Sequence, residues 1–109
     1  MFPGGPDMTA AVASGDTIRL WGTFRQFPAI GETIGALADP TSPYTKVYDS
    51  NKTLLTGATP TKWSTGIYYL DYTTDATKEE EYIYEFAGTL ESKIDLNRAR
   101  FSTKFVDNF

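Results

Sequence analysis

Two segments of the chain place an aromatic or large aliphatic residue at every second position. In Ser64–Tyr72 the residues Tyr68, Leu70 and Tyr72 share one side, and in Glu81–Gly88 Tyr82, Tyr84 and Phe86 do. A period of two means extended backbone with one buried face, because neighbouring side chains in a strand point to opposite faces. Joined by a charged, turn-rich break, the two segments predict paired strands at the centre of an antiparallel sheet.

The rest of the chain reads in the same way. Met8–Ala13 suits a short edge strand, and Ser14-Gly15-Asp16 a turn before a strand over 17–26. There Ile18, Leu20, Gly22 and Phe24 face inward, while Arg19, Trp21, Thr23 and Arg25 face outward. Pro28, Gly31, Gly35, Pro40 and Pro43 break the chain from 27 to 43, leaving at most a brief strand end at Leu37–Pro40. Tyr44–Asp49 reads as a strand with Val47 inward and Tyr48 outward. Ser50-Asn51-Lys52 is turn chemistry, Thr53–Leu55 a short return, and Thr56–Thr61 a loop. Trp63 then opens the Ser64–Tyr72 strand. Gly88 ends its strand, and 91–96, free of Gly and Pro, suits a helical turn with Leu90 and Ile94 capping the core. In the last strand, Arg98–Val106, Ala99, Phe101, Thr103 and Phe105 face inward. About seven short strands at this spacing predict an all-β sandwich over 8–106. Residues 1–7, rich in Pro and Gly, read as a flexible arm and 107–109 as a tail.

Composition supplies such a core without cross-links. Seven Phe, seven Tyr and two Trp make up 15% of the 109 residues, and Cys is absent. Without thiols there is neither a disulfide nor a thiolate metal site, which favours a reducing compartment. The opening Met and the lack of a targeting segment lead to the expectation of a complete small gene product. No apolar run approaches the roughly 20 residues of a membrane span. The net charge of −4 argues against nucleic acid, which requires clustered Lys and Arg.

Catalytic chemistry is poorly provided for. His is absent, removing the commonest general base and metal ligand. No Gly-x-Ser-x-Gly elbow is present. On one strand Glu81 and Glu85 would stand about 13 Å apart, whereas glycosidase carboxylates need about 5 Å or 6.5–9.5 Å. Asp71, Asp75 and Glu79–Glu81 lack the ordered spacing of a calcium loop and read as a solvated loop. Asn51-Lys52-Thr53 matches a glycosylation acceptor but reads as a turn. No cofactor or metal is expected.

The outward aromatics are the stronger lead. Trp21, Tyr48 and Tyr69 fall outward by parity, Trp63 lies near a strand start, and Phe109 ends the tail. Two readings stay open for them: cover by loops or the arm, or a protein interface, where Trp and Tyr are enriched. A stacking platform for sugars is a third.

Several landmarks together resemble the small immunoglobulin-like proteins encoded among the structural genes of tailed bacteriophages and prophages. They are Gly15-Asp16, Asp39-Pro40, Val47-Tyr48-Asp49, Thr65-Gly66-Ile67-Tyr68 with Tyr72, Tyr82-Ile83-Tyr84-Glu85-Phe86-Ala87-Gly88, and Phe105-Val106. Asn51-Lys52 and Glu81 stand where that pattern usually has Gly. The resemblance implies an immunoglobulin-like antiparallel β-sandwich and a non-enzymatic virion component: a head–tail connector, a tail part or a capsid decoration. Its partners would be other phage structural proteins, in multiple or symmetric copies, assembled in the host cytoplasm. It also implies a tyrosine corner at Tyr82. The alternative reading is an adhesion or carbohydrate-binding module displayed on a particle.

Overall fold

The computed structural model describes residues 12–104; the arm, most of the predicted Met8–Ala13 strand, Phe105, Val106 and the tail with Phe109 lie outside them. The strands are β1 (Val12–Ala13), β2 (Thr17–Thr23), β3 (Thr41–Tyr48), β4 (Leu54–Ala58), β5 (Thr61–Ser64), β6 (Ile67–Thr73), β7 (Glu81–Leu90) and β8 (Lys93–Lys104). They form a five-stranded sheet, β1-β8-β7-β3-β4, and a three-stranded sheet, β2-β6-β5. The described chain is all-β, with one core shared between the two sheets. The described residues form eight strands, close to the seven or so expected, and the sheets are not wholly antiparallel, because β1 runs parallel to the end of β8.

Alternation builds the core as expected. From the small sheet come Leu20 and Tyr68, from the large one Val47, Tyr82, Phe86, Leu90 and Phe101, all buried, and Phe24 joins them just beyond β2. Burying a side chain of this size is worth about 1.5–3 kcal/mol. Leu70, Tyr72 and Tyr84 pack against the cluster half-buried. The sheets approach closely at Gly22, where a side-chain carbon would stand 2.3 Å from the Phe86 ring.

Several expectations are corrected. The Ser64–Tyr72 and Glu81–Gly88 strands do not pair: β6 and β7 belong to different sheets. Shared periodicity reports a buried face, not the sheet that owns it. Trp63 does not open β6 but lies in a separate strand, β5, which folds back on β6 through the turn at Thr65-Gly66. There Gly66 has φ 75° and no room for a side chain. Most of the supposed loop over 56–61 is strand, since β4 continues to Ala58 alongside β3.

Gly88 does not end its strand. Its missing side chain leaves space for Pro40, and β7 runs on to Leu90. The helical turn at 91–96 is absent as well. Leu90 pairs with Lys93, so Glu91-Ser92 forms a two-residue hairpin turn with φ 52° and 65°. That is the left-handed geometry which twisted hairpins demand and which Asn-Gly usually supplies. Leu90 is buried as expected, but Ile94 is 75% exposed, on the outer face. Ala99 is also exposed, whereas Phe101 and Thr103 are buried.

Two substitutions test this packing. Gly22→Ala should destabilise by at least about 2 kcal/mol, because its methyl group must displace Phe86. Thr45 is fully buried and its hydroxyl has no hydrogen-bond partner among the described residues. Thr45→Val should therefore stabilise by about 1 kcal/mol. Urea unfolding monitored by fluorescence would read both, and a stabilising Gly22→Ala would overturn the account of the sheet contact.

Candidate functional site

The outer face of the small sheet gathers three of the singled-out aromatics: Trp21 and Tyr69, outward by parity, and Trp63, named for its place near a strand start. Strands β2 and β6 pair in a register that sets Trp21 opposite Tyr69, Arg19 opposite Asp71 and Thr17 opposite Thr73. The β5–β6 pairing shifts register between Lys62 and Ser64. At that irregularity Trp63 reaches the Trp21 side. The Trp21 and Trp63 ring centres are 5.7 Å apart with planes at 89°, an edge-to-face contact. Tyr69 lies 5.5 Å from Trp21 and 6.3 Å from Trp63. Trp21 is 44% and Trp63 63% exposed, so the trio is an open surface feature among the described residues.

Polar contacts fix the trio from one side. The Arg19 guanidinium lies 3.9 Å from the centre of the Tyr69 ring. It also donates from Nε and Nη2 to the two carboxylate oxygens of Asp71, at 2.7 and 2.9 Å. Such a fork holds the guanidinium flat in a way that a lysine cannot. Hydrogen bonding to Arg19 lowers the Asp71 pKa, and the same bond raises that of Arg19. One rung further, the Thr17 and Thr73 hydroxyls hydrogen-bond at 2.7 Å.

Asp39, in the long connection before β3, ties that connection to the β5–β6 hairpin. Its carboxylate accepts from Lys62 Nζ (2.7 Å), the Gly66 backbone N–H (2.8 Å) and the Tyr68 hydroxyl (3.2 Å). These bonds lower its pKa, Lys62 contributing most. Burial, then Asp39, raises that of the Tyr68 phenol. Asp39 thereby anchors the turn that follows Trp63.

The remaining sequence candidates are placed apart. Tyr48 lies on the outer face of the large sheet, where its hydroxyl donates to Glu85 at 3.4 Å. Tyr82, 1% exposed, stacks on Phe101 at 5.0 Å, and its hydroxyl accepts the Asp75 N–H at 3.4 Å. Asp71, Asp75 and Glu80 of the acidic stretch each hold a different partner. Asp71 holds Arg19, Asp75 the Thr77 hydroxyl and N–H, and Glu80 faces Lys78. Among the described residues no group of three His, Cys, Asp or Glu is placed to hold a metal ion.

Sequence reasoning missed Arg19, Asp71 and Asp39 as parts of the site. The Arg19–Asp71 fork spans 52 positions and exists only once the β2–β6 register is known. Asp39 was legible only as half of an Asp-Pro landmark. Comparison of the chain with protein-family models, with curated proteins and with solved structures found no match.

Acid should loosen this framework. Asp39, Asp71 and Asp75 are all held below the ordinary carboxylate range, Asp75 by Thr77. A carboxyl with a depressed pKa in the folded state stabilises above its unfolded pKa, about 4, and loses that contribution as pH falls through the folded value. The urea midpoint should therefore be steady above about pH 5 and decline below about pH 4. Asp39→Asn and Asp71→Asn should each flatten that decline; a midpoint that rises on acidification would contradict the assignment.

Proposed function

We propose that this chain is an immunoglobulin-like, non-enzymatic structural module of a tailed-phage virion, working by packing its outer aromatic face against a neighbouring protein. The observation that carries the reading is the exposed Trp21–Trp63–Tyr69 trio. Trp and Tyr are enriched where binding energy concentrates, and rings already held by one another and by Arg19 lose little freedom on docking.

The strand order supports the immunoglobulin-like part. In such sandwiches strands B, E and D form one sheet and G, F and C the other, with C′ added beyond C in variable-type domains. Here β2-β6-β5 follows the first order, and β8-β7-β3-β4 the second. Tyr82 stands at the start of β7, the strand F position, with its hydroxyl on backbone of the preceding connection. This placement supports reading Tyr82 as the tyrosine corner that the resemblance implies. The virion part rests on the motif resemblance, which spans most of residues 14–106.

The sugar-binding alternative draws on the exposure of Trp63. The rings are inclined to one another by 55°, 70° and 89°. They therefore offer no coplanar platform on which a chain of sugar rings could lie, and the protein-packing reading is preferred.

Purified particles from producing cells should contain the chain in multiple copies by mass spectrometry. Trp21→Ala or Trp63→Ala should leave the protein folded but weaken its incorporation by about 2 kcal/mol, roughly 30-fold. A strictly monomeric protein absent from particles would overturn the proposal, and a glycan-array signal abolished by both variants would favour the alternative.

A further inference from the structure

The outer face of the five-stranded sheet, on the opposite side of the sandwich from the aromatic trio, carries a depression of about 400 Å³ lined by Tyr48, Lys52, Ile83, Glu85, Arg98 and Arg100. Two rungs of the sheet build it. Lys46, Glu85 and Arg98 stand side by side in one, Tyr48, Ile83 and Arg100 in the next. Lys52 overhangs from the β3–β4 turn, where φ is 66° and Asp49 Oδ1 accepts the N–H groups of Asn51 and Thr53. The walls are thus part apolar, from Ile83 and the Tyr48 ring, and part cationic.

The charges do not cancel. Glu85 is already committed: one oxygen accepts Arg98 Nε at 2.7 Å, the other the Tyr48 hydroxyl. Arg100 reaches Glu81 only at 3.5 Å, with both side chains about half exposed, a pairing of little strength. Lys52 makes no ion pair among the described residues. Among the lining residues, with Glu81 added at the rim, cations still outnumber carboxylates three to two, on a chain whose net charge is −4.

We propose that this depression is a docking site for an acidic segment of a partner protein. A carboxylate of the segment sits between Lys52 and Arg100, and its apolar neighbour lies on Ile83 and the Tyr48 ring. A small inorganic anion would use only the cations and leave the apolar wall wet, so an acidic residue beside an apolar one fits the lining better. The site shares no residue with the trio and does not depend on the virion reading.

The test uses the full chain and two probes, a peptide of alternating Glu and Phe and its Gln/Phe counterpart, in calorimetric titrations. The Glu peptide should bind at least about tenfold more tightly than the Gln peptide, and weaken as salt rises from about 50 to about 500 mM. Lys52→Ala with Arg100→Ala should lose at least about tenfold, and Arg100→Glu more, while Trp21→Ala binds as the parent does. Amide shifts on titration should centre on Ile83, Arg98 and Arg100. Equal binding of both peptides, or undiminished binding by a folded Arg100→Glu protein, would overturn the proposal. So would shifts centred on Trp21, or displacement of the peptide by inorganic phosphate at a similar concentration.

Discussion

The contact on which the rest of the molecule depends is the one between Phe86 and the bare backbone of Gly22. A strand surface without a side chain lets the opposite sheet approach until an aromatic ring fills the gap. Leu20 and Tyr68 from the small sheet, Phe24 just beyond β2 and Val47 from the large sheet belong to the same buried cluster as that ring. Sheets in a sandwich ordinarily stack about 10 Å apart, so a ring seated on glycine fixes both their spacing and their relative position. Every outward side chain takes its place from that seat.

Both outer faces inherit their character from strands whose inner faces are committed to the core. Trp21 points outward because Leu20 and Gly22 point inward, and Tyr69 does so because Tyr68 is buried. The same parity sends Ile83 and Glu85 outward from β7, between Tyr82 and Phe86. A sandwich with a wet outer layer on each side therefore displays two chemically distinct surfaces. One is aromatic, with a single compensated ion pair at its margin; the other is cationic, with an apolar floor.

Parity was the readable part of the chain. The inward set Ile18, Leu20, Gly22 and Phe24 emerges from alternation alone, and so does the outward placement of Trp21, Tyr48 and Tyr69. What alternation does not contain is register between distant strands. Trp21 meets Tyr69 rather than Tyr48 because β2 pairs with β6, and no local pattern states that choice. Glu91-Ser92 misled for a related reason, since a turn usually announced by Asn-Gly is here made by two residues that tolerate left-handed backbone poorly. Gly88 misled in the opposite way: its task is to admit Pro40, not to stop a strand. Asp39 was visible only as part of a landmark, because its three donors come from a hairpin more than 20 residues downstream.

The edge-to-face arrangement of Trp21 and Trp63 has an optical consequence. They are the only two indoles in the chain, and they lie within van der Waals reach of one another. Their electronic transitions couple, adding an exciton couplet to the far-ultraviolet dichroism of an otherwise plain β spectrum. The molecule therefore carries an unlabelled chromophore pair on its aromatic surface, sensitive to anything that tilts one ring against the other.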